Sequence, residues 1–523
     1  MKNIKIIVLI LLTSVLVPAC TDYLDVRPEN QMLLDDYWKK ESDVEATVLA
    51  CYRAMQENEY MWRVMLWGEL RSDNVIADAS ADDSERQIDN VNILPSNSNC
   101  KWGSVYTVIN YCNTVLEYAP GVVDYDPNFT VSDLRAKEAE VLAIRALSYF
   151  YLVRTFRHIP LVLEATISDD QNLMIPQSSP EDVLDRIVED LLYAETWALN
   201  SFLTTKETKG RMTKDAIRAI LADVYLWKKD YSSCITYCDK LINATKTETV
   251  FSGTALEVPK YELIESDFES ASSSIFNKGN SDESIFELQF SSNIKSNESV
   301  FSLYGNSTTM GKLTAATLYA ESDLVFPQTD ERKADFIETK KSGSGAYKIF
   351  KYLGARVSNG SANEYSYRQL TPNWIFYRIT DVMLMKAEAL VQLDGEDNLR
   401  KALQIVNKTY MRSNVSLQET DTLVYDSYSS SNAMEKLVLL ERQRELMFEG
   451  KRWFDLVRHS ERKKSTNDLV DYLMFKYTSN QSAISTKLSV MNALYLPIHV
   501  DELKVNPLLK QNPYYESSSN IEK

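Results

Sequence analysis

Histidine is nearly missing from this 523-residue chain: only His158, His459 and His499 occur, far apart and none in a His-Glu-x-x-His pattern. That spacing excludes the helix-borne zinc site of a metallopeptidase. Neither a Gly-x-Ser-x-Gly nucleophile elbow nor a glycine-rich phosphate loop occurs. Asp394-Gly395-Glu396-Asp397 lacks the alternating ligands of a calcium loop and reads as a turn between helices. No motif calls for a cofactor or a metal. Glycine and proline are scarce, 14 of each, and no linker separates the chain into independent domains. Positive charge is also in deficit. Lysine and arginine total 57 against 74 acids, a net charge of −17, which excludes nucleic acid as a partner. Of six cysteines, Cys20 is set apart by its position, and the odd remainder of Cys51, Cys100, Cys112, Cys234 and Cys238 argues against a disulfide framework. Cys234 and Cys238, four apart on one helix face, read as small core residues.

Long apolar runs are missing too, apart from the N-terminus. Lys2 and Lys5 precede the short stretch Ile6 to Leu12, and Leu16-Val17-Pro18-Ala19-Cys20 closes it with small residues. The stretch is too short to span a bilayer comfortably, and the pattern is that of a secretory signal over 1–19. A cysteine directly after the cleavage point marks a bacterial lipoprotein acylated on Cys20, anchored by acyl chains and otherwise soluble. Loss of Lys2 and Lys5 with the signal takes the net charge to −19.

What the chain has in quantity is helical periodicity and aromatic rings. Apolar spacing predicts helices near 41–57, 102–118, 132–156, 180–199, 213–228, 231–244, 378–394, 398–411 and 433–449, and one clear strand at Ile285–Phe290. The expected fold is mainly α. In 213–244 the small residues Ala222 and Cys234 lie twelve apart, as in a tetratricopeptide-type helix pair, with Tyr225 filling the groove; Ala387 and Ala402 play that part in 380–411. Such pairs form a solenoidal scaffold. The organisation expected is a helical half over 20–244, a loop-rich insert over 245–375 and a helical part over 376–523. Stretches 73–100 and 413–432 are also irregular, and long irregular segments on a rigid frame tend to carry function. Thirty Tyr, eight Trp and seventeen Phe make 11% of the chain. Trp38, Trp67, Trp102, Trp227 and Trp453 fit helical core positions. Rings left over for loops suit sugars, whose C–H faces pack on aromatics while Asp, Asn and Arg bind the rim.

Residues 441–458, ERQRELMFEGKRWFDLVR, interleave ions with Trp453 and Phe454 across two helices broken at Gly450. Glu441, Arg444 and Glu445 sit at helical contact spacing, which predicts a half-buried ion-pair lock. This run resembles a signature of the SusD/RagB family. The likeness continues in Cys20-Thr21-Asp22-Tyr23-Leu24-Asp25-Val26, in Glu69-Leu70-Arg71-Ser72-Asp73, in Trp102, Tyr106, Ile109, Cys112 and Asn113, and in Arg145-Ala146 with Tyr149-Phe150. It extends through Ile159-Pro160-Leu161-Val162, Ile285 to Phe290, Tyr377 to Leu384, Leu496-Pro497-Ile498 and Gln511-Asn512-Pro513. One departure is visible: Arg157-His158 stands where such chains carry a glycine. The resemblance implies a SusD-like, non-catalytic lipoprotein at the cell surface in the outer membrane, binding a nutrient oligosaccharide for a TonB-dependent SusC-like transporter. It places ligand contacts in 73–100 and 291–320, which offer Asp73, Arg86, Asn90, Asn92, Tyr304 and Tyr319; the first of these loops has no Trp. A peptide ligand, as in RagB-like proteins, stays open. So does a surface glycan hydrolase using an unmarked carboxylate pair, and a scaffold lipoprotein without a ligand.

Overall fold

The structure is a computed structural model that describes residues 37–168, 170–249, 255–264, 272–338, 345–359, 362–368 and 371–516. The expected signal segment over 1–19 and Cys20 lie outside the described residues. The principal helices are α1 (Glu41–Met55), α2 (Asn58–Glu69), α3 (Gly103–Val122), α4 (Val131–Phe156), α5 (Pro180–Trp197), α6 (Lys214–Trp227), α7 (Tyr231–Ile242), α8 (Ile379–Leu393), α9 (Glu396–Ser413), α10 (Ser431–Leu446) and α11 (Arg452–Lys463). The mainly helical expectation holds.

Helix α4 is the centre of the frame. It opens on a capping box: the Asp133 amide donates to Thr130 Oγ1 at 3.2 Å, and the Thr130 amide donates to Asp133 Oδ2 at 2.9 Å. From Ala139 to Phe156 every residue is buried, so its ions must be paired. Arg145 donates to Asp190 on α5 through Nε and Nη2 at 2.8 and 2.9 Å. Arg154 reaches Asp223 on α6 at 3.3 Å, and Arg211 grips Glu140 at 2.7 Å. The helix ends at Arg157 with φ +70°, a left-handed conformation that glycine adopts more readily. Arginine occupies it here with its guanidinium 5.4 Å from the Tyr495 ring centre and 3.6 Å from Glu461.

Helices α1, α3, α4, α5, α6, α7, α8 and α9 form a continuous row, each packed on the next. The two helix pairs expected from the sequence are the last four members of this row. Ala222, Cys234, Ala387 and Ala402 are all fully buried, and Tyr225 stacks on Tyr237 with centroids 5.6 Å apart. Cys234 and Cys238 are buried thiols with sulfurs 4.0 Å apart. Trp38, Trp67, Trp102 and Trp453 are core as expected, while Trp227 is only partly buried against it.

A second layer holds α2, α10, α11 and a buried antiparallel pair, Ser284–Leu288 with Trp374–Arg378. Here the signature run becomes legible. Phe448 and Gly450, at φ +67° and +70°, turn the chain between α10 and α11. Gly68 of α2 lies so close that a Cβ there would fall 1.7 Å from the Gly450 carbonyl oxygen. Around this contact runs the ion lock: Arg332 with Asp330, Glu441 and Glu445, Arg378 with Glu283, Glu445 and Glu449, and Lys351 with Glu449. Arg412 closes it onto Glu283 and Glu445, and Arg442 bridges Asp381 and Asp455. These ions are buried, more fully than the half-burial expected. Desolvation offsets most of the attraction in a network of this kind, so its net contribution to stability is small. The described residues of 245–375 are irregular but ordered by short pieces, among them the antiparallel pairs Thr245–Thr249 with Ala255–Pro259 and Gly354–Asn359 with Ala362–Tyr367.

Candidate ligand-binding face

The two irregular segments singled out in the sequence meet. Val75–Ala77 pairs antiparallel with Leu313–Ala315, in the register Val75 with Ala315 and Ala77 with Leu313. The ladder continues at both ends, where the Asp78 amide donates to the Lys312 carbonyl and the Ala316 amide to that of Asn74, each at 2.8 Å. Past this ladder two loops run side by side. Ser80 Oγ donates to the Gly311 carbonyl at 3.1 Å, and Lys312 crosses to Asp82 and, at 3.5 Å, to Glu85. The Lys312 ammonium sits 5.2 Å from the ring centre of Trp62, a half-buried residue of α2. Trp62 is fixed by its Nε1–H, which donates to Asn99 Oδ1 at 2.9 Å.

The second loop is a tight polar turn. Asn306 Oδ1 accepts from the Thr308 and Thr309 amides, both at 2.9 Å. It closes only because positions 305 and 311 are glycine: a Cβ on Gly311 would lie 2.2 Å from the Leu303 carbonyl oxygen. Ser307, Thr308 and Thr309 are left exposed at its tip. The result is a hydroxyl-rich surface with one tryptophan ring beside it.

The six residues proposed from the resemblance divide into two groups. Arg86, Asn90 and Asn92 are exposed. Arg86 donates to the Ala79 carbonyl at 2.9 Å and to that of Ala81, Asn90 ends the helix Asp83–Asp89, and Asn92 accepts from Lys487. Asp73, Tyr304 and Tyr319 are instead buried, and their expected place on a ligand-contacting loop surface must be corrected. Arg452 of the signature clamps Asp73 with two hydrogen bonds, Nε to Oδ1 at 2.8 Å and Nη2 to Oδ2 at 2.9 Å. Tyr319 Oη and Gln443 Nε2 also donate to Asp73 Oδ2, each at 2.9 Å. Burial would raise the Asp73 pKa, but the Arg452 guanidinium outweighs it and holds the carboxyl below its usual value. Burial and the Asp73 charge push the Tyr319 hydroxyl well up. Tyr304 Oη donates to the Phe448 carbonyl at 2.9 Å. The physical reason is the ladder: pairing 75–77 with 313–315 draws the flanking residues into the core.

Sequence reasoning missed Trp62 and Lys312. Trp62 sits seven residues before Glu69 on a helix whose other side chains are mostly buried, and its half-exposed ring beside the Glu69 to Asp73 motif was the available signal. Close by, burial pushes the Glu69 carboxyl up to about 7, although Asn74 Nδ2 and the Gly450 amide donate to it at 2.9 and 3.0 Å. Among the described residues no group of three His, Cys, Asp or Glu could hold a metal ion, and no helix is long and apolar enough to cross a membrane.

A family model described as "SusD family" matches residues 260–515, and one described as "Starch-binding associating with outer membrane" matches 22–226. The chain belongs to the SusD family. SusD-like protein P38 of Formosa agariphila is 26% identical over 499 residues, covering 87% of this chain and 91% of the relative. A SusD homolog of Bacteroides thetaiotaomicron superposes with a TM-score of 0.74 at 20% identity, covering 93% of this chain and 99% of that one. NanU of B. fragilis gives 0.68 at 21% identity, covering 94% and 100%. These superpositions establish the SusD-like fold.

Proposed function

We propose that this chain captures a nutrient oligosaccharide at the outer-membrane surface and delivers it to a TonB-dependent SusC-like transporter, without catalysis. The observation that carries this reading is the pairing of 75–77 with 313–315, which brings together the segment bearing exposed Arg86, Asn90 and Asn92 and the segment bearing the exposed Ser307–Thr309 turn, with the Trp62 ring against Lys312. Such a surface offers hydrogen bonds to sugar hydroxyls and a ring to a C–H face. Membership of the SusD family supports binding over hydrolysis, and the description of the N-terminal match supports the membrane location. Acylation of Cys20 would supply the anchor, and Cys20→Ala should then move the protein out of the membrane fraction.

The test is a glycan array run beside a peptide library on purified residues 21–523, followed by calorimetry. A saccharide is expected to bind, and Trp62→Ala to weaken it about tenfold, roughly 1.4 kcal/mol. Binding of peptides alone would replace the reading with the RagB-like one. Product release on incubation, abolished by a single carboxylate substitution, would make the protein a hydrolase. Binding unaffected by both Trp62→Ala and Arg86→Ala would move the site elsewhere.

A further inference from the structure

A depression of about 290 Å³ lies beside the C-terminal helices, lined by Tyr319, Tyr428, Leu440, Tyr472 and Phe475, with Gln443 and Lys436 among its walls. None of the loop-face groups Trp62, Arg86, Asn90 or Asn92 lines it. The walls are mostly rings and aliphatic chains. Phe475 is 50% and Leu324 49% exposed at the mouth, so the opening is not sealed by this chain's described residues. The polar groups around it are distributed unlike those of a core cavity. Gln443 is buried, and its amide is committed to Asp73 and Asn74 at 2.9 Å each. That holds the cavity wall against the Arg452 clamp. Among the described residues, the Tyr428 and Tyr472 hydroxyls make no hydrogen bond and Lys436 no ion pair. Aromatic residues, two of them with hydroxyls that bond no described residue, therefore line one small open volume.

We propose that this cavity is a second saccharide site, separate from the paired-loop face, that takes a single pyranose ring as the end or branch of a glycan. Its volume is at the lower end for ligand pockets and suits one ring. A pyranose lays a C–H face on Phe475 and Tyr428 while its hydroxyls meet the Tyr472 and Tyr428 hydroxyls and Lys436. A wholly apolar ligand would desolvate those groups without replacing their water. Tyr319, one of the two aromatics that the resemblance placed among ligand contacts, lines this cavity rather than the loop surface.

Saturation-transfer NMR with free D-glucose, D-galactose, D-mannose and D-glucuronate tests the site, with N-acetyl-tyrosinamide as a probe of an aromatic peptide side chain. At least one monosaccharide should give transfer that falls fivefold or more in Phe475→Ala and persists in Trp62→Ala. Phe475 is half exposed, so its truncation leaves the fold intact, which a thermal melt checks. Transfer lost only in Trp62→Ala would overturn the second site while sparing the loop face. Transfer equal in wild type and Phe475→Ala, no transfer from any sugar, or transfer from N-acetyl-tyrosinamide alone would also overturn it.

Discussion

Asp73 provides the sharpest test, because its position in the 73–100 loop suggested ligand contact and its surroundings give it a structural task. In Asp73→Ala the Arg452 guanidinium is left in the core without its carboxylate, and the Tyr319 and Gln443 donors lose their acceptor. Breaking a buried pair by removing one partner costs about 3–5 kcal/mol. The lost hydrogen bonds are not added on top, since members of one network do not act independently. Asp73→Asn keeps the shape and one acceptor, and should cost about 2–3 kcal/mol, near the worth of a hydrogen bond to a charged group. Urea unfolding followed by circular dichroism, repeated across pH, measures this. Because the Asp73 pKa is depressed from 3.8, its stabilising effect is present above about pH 4 and lost as pH falls through the lowered value. The gap between wild type and Asp73→Asn should therefore be full at pH 7 and shrink below pH 4. Saccharide affinity at the loop face, measured well below the unfolding temperature, should stay within twofold. A cost below about 1 kcal/mol at pH 7, a gap indifferent to acid, or a loss of affinity without a loss of stability would refute the reasoning.

Gly68→Ala drives a methyl into the Gly450 carbonyl and should cost about 1–3 kcal/mol or more as overpacking, read as a lower urea midpoint at unchanged slope. Glu69→Gln removes a carboxyl pushed up to about 7 from 4.5. Between those values the folded state keeps a proton that the unfolded chain releases, so wild-type stability declines as pH rises across that window. The variant should gain on wild type by roughly 2–3 kcal/mol from pH 4.5 to 7 and then run parallel, as a pH series of melts would show. Arg157→Gly relieves a left-handed arginine worth about 1 kcal/mol while losing the contacts to Tyr495 and Glu461. Its melting temperature should stay within a few degrees of wild type, whereas Arg157→Val at the same φ should fall clearly below.

The long helices could be read from sequence because each has a period or a cap that acts locally. Thr130 and Asp133 mark the start of α4, and Gly450 the break between α10 and α11. Helix α2 escaped notice because it is buried nearly all round, from Tyr60 to Glu69, and a helix without a polar face has no 3.6-residue signal. The pairing of 75–77 with 313–315 joins segments more than two hundred residues apart, and nothing near either strand announces the partner. Tyr304 and Tyr319 misled for the same reason. Rings in a serine-rich stretch look exposed until the ladder folds them inward. The ion lock was legible in kind from 441–458, but its partners Asp330, Arg332, Lys351, Arg378 and Arg412 come from other parts of the chain.

The clamp between Arg452 and Asp73 spans 379 positions, the hydrogen bond from the Gly450 amide to Glu69 spans 381, and that from Arg71 to the Leu494 carbonyl 423. Connections this remote form last, after shorter-range neighbours have assembled. During synthesis the early helices can therefore settle while the paired-loop surface waits for the final fifth of the polypeptide to emerge. A chain cut short before Arg452 should keep its helical circular dichroism yet lose amide protection around 70–78, and full protection there in the shortened chain would count against this order of assembly.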